Sequence, residues 1–280
     1  MSYFTFHDIS YAQGRYNMDA DSSPVVEMKM SGFYYGSKTP YMDVQAATNY
    51  SDAIRLNKVP ICYHYAGGAD PVVEAEYFVK ACSPLADGDI YELDYELTAE
   101  MNPPANPDGW CRTFADRVHE LTGAYPLLYV NTSTFLANNK FPRTMEVCGL
   151  IIADYRYTPD QDVPCGHPYI IHQFTDSPLD TNACFISLDT LKKYARGGSQ
   201  PATAPAPQPV TPTPTPAPTP APVPQPAPAP APVVPPVVPT PPVKPVVKPV
   251  PTPVPVTPAK KSNLLQRIVD AILRFFDIRV

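Results

Sequence analysis

The chain is 280 residues long, with 40 prolines, 12 glycines and a formal net charge of −6. Residues 201–259 hold 26 of the prolines and no glycine, which excludes a helix or sheet interior there, because proline has no backbone N–H to donate, and excludes collagen, which needs glycine at every third position. Residues 1–200 carry 14 Lys+Arg against 25 Asp+Glu, and residues 201–280 carry 7 against 2; so acidic a body lacks the basic face that nucleic-acid binding requires, whereas the basic end suits an anionic surface.

These shifts divide the chain into a folded domain over 1–199, a polyproline II-like linker over 200–259 and a tail over 260–280. The domain is long enough to bury a core without metal or disulfide staples. Residues 1–10 contain no basic residue and no long apolar run, so the expectation is a protein made in the cytoplasm without a signal peptide. No uncharged apolar run reaches membrane-spanning length. Cys62, Cys82, Cys111, Cys148, Cys165 and Cys184 all fall in the domain and form no CxxC pair, an arrangement that offers no zinc site; a metal or other cofactor is not expected.

In chain order, short apolar runs rich in Tyr, Val, Ile and Phe predict strands over 4–9, 25–30, 59–65, 90–97, 126–130, 150–155 and 169–174. Helices are predicted between several of them. Residues 43–56 place Val44, Ala47 and Ile54 at helical spacing; 71–81 follow Asp70 as N-cap, with Pro71 in the first turn; 110–121 follow Asp108 and stop at Gly123; 187–195 end before Gly197 and Gly198. Strands alternating with helices predict an α/β fold, an irregular βα (TIM-like) barrel, with an open doubly wound sheet as the second choice. Ala66-Gly67-Gly68-Ala69 lacks the spacing of a dinucleotide or phosphate loop.

Acids gather where such a barrel would open. His7-Asp8 ends the first strand, Ala153-Asp154 ends the sixth, and Tyr91-Glu92-Leu93-Asp94-Tyr95-Glu96 crosses the end of the fourth. Glu92, Asp94 and Glu96 share one strand face, neighbours on it lying roughly 6–7 Å apart. Like charges at that range push at least one carboxyl to keep its proton, as a general acid must. Taken alone, such a run is also what a solvated strand edge looks like. Cys62 and His64 share a face too, but two positions apart on one strand they do not reach hydrogen-bond distance, and the histidines show no HxxxH spacing.

The ordered set of segments resembles the glycoside hydrolase family 25 lysozymes, which cleave bacterial peptidoglycan. Phe6-His7-Asp8-Ile9-Ser10-Tyr11-Ala12-Gln13-Gly14 is similar to the family's opening, and Met28-Lys29-Met30-Ser31-Gly32 to its lysine-containing second strand. Pro60-Ile61-Cys62-Tyr63-His64-Tyr65, Leu93-Asp94-Tyr95-Glu96, Leu127-Leu128-Tyr129, Leu150-Ile151-Ile152-Ala153-Asp154-Tyr155, His172-Gln173-Phe174-Thr175 and Leu179-Asp180-Thr181-Asn182 follow in the family's order. The resemblance covers nearly all of 3–195. It implies Glu96 as general acid and Asp94 as the carboxylate that stabilises developing charge and steers an N-acetyl group, with Asp8 and Asp180 lining the cleft. It also implies sugar contacts from Lys29, Gln173, Tyr63, Tyr65, Tyr129 and Tyr155. Two tryptophans of the family pattern are here Ile151 and His172, so stacking falls to tyrosine; Trp110 is expected in the core.

The expected function is therefore an N-acetylmuramidase of the phage endolysin type. A non-catalytic glycan-binding module and a virion-associated lysin are the alternatives. In the tail, Asn263, Arg267, Asp270, Arg274 and Asp277 form a narrow polar stripe on an otherwise apolar amphipathic helix. With Lys260, Lys261 and Arg279 it suits an anionic membrane or envelope surface; self-association, or docking back on the domain, is the alternative.

Overall fold

The computed structural model describes residues 2–84 and 86–200. The Pro-rich segment from residue 201 on and the tail helix expected over 260–280 lie outside the described residues.

The strands are β1 (Phe4–Ile9), β2 (Val25–Phe33), β3 (Pro40–Met42), β4 (Val59–Tyr65), β5 (Ile90–Asp94), β6 (Leu127–Asn131), β7 (Leu150–Ala153), β8 (Ile171–Thr175) and β9 (Thr181–Cys184). The helices are α1 (Ala46–Arg55), α2 (Pro71–Ala81), α3 (Pro107–Thr122), α4 (Thr132–Ala137) and α5 (Leu188–Leu191). All strands but β3 close on one another in the order β1-β9-β8-β7-β6-β5-β4-β2, and the pairing of Asp8 with Glu27 and of Ile9 with Met28 seals the ring. β3 hangs on β2 as an antiparallel extension.

The expected closed barrel is present, but its βα alternation is incomplete. Only 3-10 turns separate β1 from β2, a helix-free loop joins β7 to β8, and β9 runs antiparallel to both of its neighbours. β3, β9 and α4 are short and carry little apolar periodicity, which is why the sequence pattern does not announce them. Inside the ring, Phe6, Val25, Ile61, Ile90, Leu127, Ile151 and Ile171 form one apolar cluster, plugged from below by Leu191 and Tyr194. Outside it, Val26, Met28, Cys62, Tyr91, Leu93, Leu128 and Ile152 pack under Phe78, Phe114 and Val118 of the helices. Strand alternation sorts the two sets.

Local chemistry explains the helix ends. The Asp70 carboxylate accepts from the backbone N–H groups of Val72 and Val73, and Pro71 opens α2, as expected. α3 starts earlier than expected. Asn106 caps it with Pro107 behind, and Gly123 ends it in the left-handed region, while the expected cap Asp108 instead binds Arg143 and Thr144. α1 buries Ala46, Asn49 and Ala53, whereas the expected apolar set, Val44 just before the helix with Ala47 and Ile54 on it, is exposed. Small residues face the barrel there because the helix lies close against β2 and β4.

Candidate active site

Following each strand inward and upward, the lining changes from apolar to charged. On β1 it runs Phe6 to Asp8, on β2 Val25 to Glu27 to Lys29, on β4 Ile61 to Tyr63 to Tyr65, and on β5 Ile90 to Glu92 to Asp94. The register pairs Lys29 with Tyr63, Tyr63 with Glu92, Tyr65 with Asp94 and Asp94 with Tyr129. These side chains, with Glu96, Gln173, Asp176 and Asp180, line one cavity of about 320 Å³. All ten of the expected site residues meet there. An adjoining cavity of about 430 Å³ shares Glu96, Tyr129 and Tyr155 with it, so Glu96 stands where the two meet.

Few hydrogen bonds offset the burial of these acids. Asp8 and Asp94 each keep one buried carboxylate oxygen without a partner, and Glu92 keeps two. Burial, followed by repulsion from Asp180, pushes Asp8 up to about 7 against a hydrogen bond from Tyr63 and the charge of Lys29. Burial, followed by the charge of Glu96, holds Asp94 well above the carboxylate range. Glu96 is raised as well, mainly by burial, with Lys29 pulling the other way and Asp180 adding to the rise. Asp180 is raised by burial and by Asp176. Lys29 also sits 4.6 Å from the centroid of the Tyr65 ring and 5.3 Å from that of Tyr63. The site thus holds more carboxyls than compensating charge, and some must remain protonated near neutrality.

The tyrosines divide by accessibility. Tyr63 and Tyr129 are 5% and 6% exposed, so they offer the cleft phenol groups rather than open faces. The Tyr129 and Tyr155 hydroxyls both donate to Gln173 Oε1, at 2.8 and 2.7 Å. Tyr155 is half exposed and Tyr65 partly so; these two rings are placed to stack.

Several expectations change here. Asp154, read as another acid at a strand end, lines only the adjoining cavity and is held by the Arg156 guanidinium at 2.6 and 2.8 Å; that pairing holds its carboxyl down at about 2. Glu92 lies at 1% exposure on the cavity floor rather than on a solvated strand edge. Glu27, Ser10 and Asp176 also line the cavity and were not expected. For Glu27 the signal was present: it lies two positions before Lys29, on the same strand face. His64 bonds to Ser31 and Glu74, apart from Cys62. Trp110 is buried, and its ring N–H donates to the Ala69 carbonyl.

The buried acids imply a definite pH dependence of stability. A carboxyl raised by folding binds its proton more tightly folded than unfolded, so its contribution is full below about pH 4 and is lost as pH rises through the folded value. For Asp8 that window closes near 7. Asp154 has the opposite sign, but its loss begins only below about pH 4. The melting temperature is expected to fall from about pH 5 to about pH 8, by at least ~3 °C per pH unit; scanning calorimetry that shows a flat or rising trend contradicts the buried cluster.

Residues 7–182 match the profile of glycosyl hydrolases family 25. The N,O-diacetylmuramidase of Chalaropsis sp is 30% identical over 153 residues, covering 48% of this chain and 71% of that protein. Among solved structures, the muramidase from Trichobolus zukalii superposes with a TM-score of 0.56 at 22% identity, over 69% of this chain and 99% of that one. The catalytic domain of an endolysin from a bacteriophage of Listeria monocytogenes does so with 0.56 at 24% identity, over 69% and 97%. Profile, relative and barrel agree, and the chain belongs to glycosyl hydrolases family 25, as a glycoside hydrolase of the lysozyme type.

Proposed function

We propose that the domain is an N-acetylmuramidase acting on bacterial peptidoglycan, cutting the β-1,4 bond between N-acetylmuramic acid and N-acetylglucosamine. The observation that carries this reading is the placement of Glu96 at the junction of two cavities, with a raised carboxyl and with Asp94 behind it. A polysaccharide crossing the junction presents its glycosidic oxygen to Glu96, which gives up its proton to the leaving sugar. Positive charge then grows at the anomeric carbon. Asp94 meets that charge and orients the N-acetyl group, whose carbonyl oxygen attacks the anomeric carbon from the opposite face. Water, deprotonated by the Glu96 carboxylate, then opens the intermediate and restores the acid. Asp8 and Asp180 hold the sugar; Tyr65 and Tyr155 stack on it.

Mass spectrometry of digested, purified peptidoglycan tests the bond assigned. Fragments with N-acetylmuramic acid at the new reducing end are expected. New ends carried by N-acetylglucosamine would refute the assignment, and intact glycan would favour a non-catalytic binding module.

The wider role is an endolysin, made in the cytoplasm and acting on the wall at lysis. The amphipathic pattern of 260–280 supports it. Recovery from purified virions rather than from lysate would favour the virion-associated lysin. The tail brings the enzyme to an anionic envelope surface. Deleting 260–280 is expected to leave hydrolysis of purified wall within about two-fold while cutting retention on anionic vesicles by about ten-fold or more. Unchanged retention removes the envelope role, and a loss of oligomer mass in its place points to self-association.

A further inference from the structure

A row of paired residues crosses the barrel mouth. The register sets Tyr129 beside Asp94, Asp94 beside Tyr65, Tyr65 beside Gly32 and Gly32 beside Tyr41. Residues paired across strands share one face of a sheet, so Tyr41 faces the same way as Tyr65 and Asp94. It stands on the β3 extension, outside the ring, roughly 14 Å along the row from Asp94. Gly32 makes the row continuous. A Cβ there would lie 2.5 Å from Tyr41 Oη and 2.7 Å from Tyr41 Cζ, so the phenol end of Tyr41 lies over the bare backbone of β2, on the side of Tyr65. Beyond it, the Tyr34 ring centroid is 4.6 Å from that of Tyr41, with the planes tilted by 33°. Tyr34 is 58% exposed and Tyr41 partly so. Exposed aromatic rings standing singly are ordinary on a protein surface. A contiguous pair that prolongs a cleft on its own face is not. The turn that carries the pair is also fixed. The Tyr34 N–H donates to the Thr39 carbonyl at 3.0 Å, the Lys38 N–H to the Tyr34 carbonyl at 2.7 Å, and Lys38 Nζ to the Gly67 carbonyl at 2.6 Å. The last bond ties the hairpin to residues 66–69 at the barrel mouth.

We propose that Tyr41 and Tyr34 form an outer sugar platform, which holds the glycan strand on the far side of Tyr65 from Glu96. The proposal rests on the reading of the cleft as a muramidase site and extends that cleft beyond the barrel rim. The chemistry of the two rings suits a sugar. A pyranose ring offers a face of C–H groups edged by hydroxyls; an aromatic ring covers the face, and a phenol hydroxyl bonds at the edge. Neither Tyr34 nor Tyr41 lines the two cavities that meet at Glu96, so the sugars they hold are not those at which the bond breaks. The strand then runs from the adjoining cavity on the β6–β7 side, past Glu96 and Tyr65, to β3. Held on both sides of the acid, a long strand binds more tightly than its contacts at the acid alone allow.

Calorimetry on peptide-free glycan strands tests this in the full chain carrying Glu96→Gln, so that binding is read without cutting. Adding Tyr34→Ala or Tyr41→Ala is expected to weaken binding by about three- to ten-fold. Tyr34→Phe and Tyr41→Phe keep the rings and should stay within about two-fold of the parent. Gly32→Ala keeps every ring but pushes the Tyr41 phenol off β2, and should weaken binding by a similar factor to Tyr41→Ala. With Glu96 restored, the alanine variants should show the same factor in KM on long strands, with kcat within about two-fold. Binding by Tyr34→Ala and Tyr41→Ala within about 1.5-fold of the parent overturns the proposal. So does a loss of kcat with a lowered urea midpoint, which assigns the rings to packing. Ring-dependent binding by a chain that, with Glu96 in place, cuts no glycan counts against the hydrolase reading and leaves the platform. Normal cutting with ring-independent binding removes the platform and leaves the hydrolase. Should Tyr41→Ala or Gly32→Ala fail to fold, the exposed Tyr34 decides.

Discussion

Glu96→Gln is expected to lower kcat on purified peptidoglycan by about 10²–10⁴-fold, the usual contribution of a general acid. The amide matches the carboxyl in shape and keeps its place at the junction of the two cavities, but it has no acidic proton for the leaving oxygen. KM should stay within a few-fold, because the proposed sugar contacts, from Asp8, Asp180, Lys29, Gln173 and the tyrosines, are left in place. The fold should persist and even gain at alkaline pH, since the variant removes a buried carboxyl that resists ionisation. Unchanged circular dichroism together with loss of reducing-end release is the expected pair of results. Activity within ten-fold of the parent would take the acid role from Glu96, and Asp8, with its carboxyl near 7, would be the next residue to test.

Glu74→Ala is expected to destabilise the domain by about 3–4 kcal/mol, read from the midpoint of urea unfolding at unchanged slope. Glu74 is fully buried on α2. Its carboxylate accepts from His64 Nε2 at 3.1 Å and from the backbone N–H groups of Gly67 and Ala69. Burial holds His64 below its usual range, so the ring is neutral near pH 7; with Nε2 donating, Nδ1 accepts from the Ser31 hydroxyl at 2.8 Å. Ser31, His64 and Glu74 have the composition of a hydrolytic triad, but serine and histidine are fully buried and out of reach of substrate. Their work is structural. They tie β2 and β4 to α2 and pin residues 66–69 at the barrel mouth, where Gly67 lies so close to Phe33 that no side chain fits. Truncation at Glu74 leaves three donors unsatisfied, each costing about 1–3 kcal/mol where it is buried. A loss below about 1 kcal/mol would show that water or another acceptor replaces the carboxylate.

Most of the strands were legible because each lies between one apolar interior and one apolar helix layer. β1 and β4 match their expected bounds, and α2 does so residue for residue. What escaped is what depends on distant partners. β9 is a strand because β1 and β8 flank it; its own four residues, Thr181-Asn182-Ala183-Cys184, have no marked strand propensity. Val44 and Ile54 have helical spacing, yet the contact surface of α1 selected Ala46, Asn49 and Ala53 instead. Asp154 and Asp94 both follow apolar strand residues, but the nearby Arg156 took Asp154 out of the acid cluster.

By itself the sequence determined which side chains could carry chemistry. The spacing of Glu92, Asp94 and Glu96 sets one face of one strand, because alternation along a strand is local geometry. It also marked a shift in composition, because residues 201–259 hold 26 prolines and no glycine. Only the closed ring decided how the acids act. Asp8 and Asp180 lie 172 positions apart and come together because β1 pairs with β9; Glu27 and Glu92 line one cavity because a curved sheet turns its inner faces toward one another. Depth in that ring, with the loss of water it brings, is what lets carboxyls keep their protons near neutrality, and no stretch of chain contains that depth.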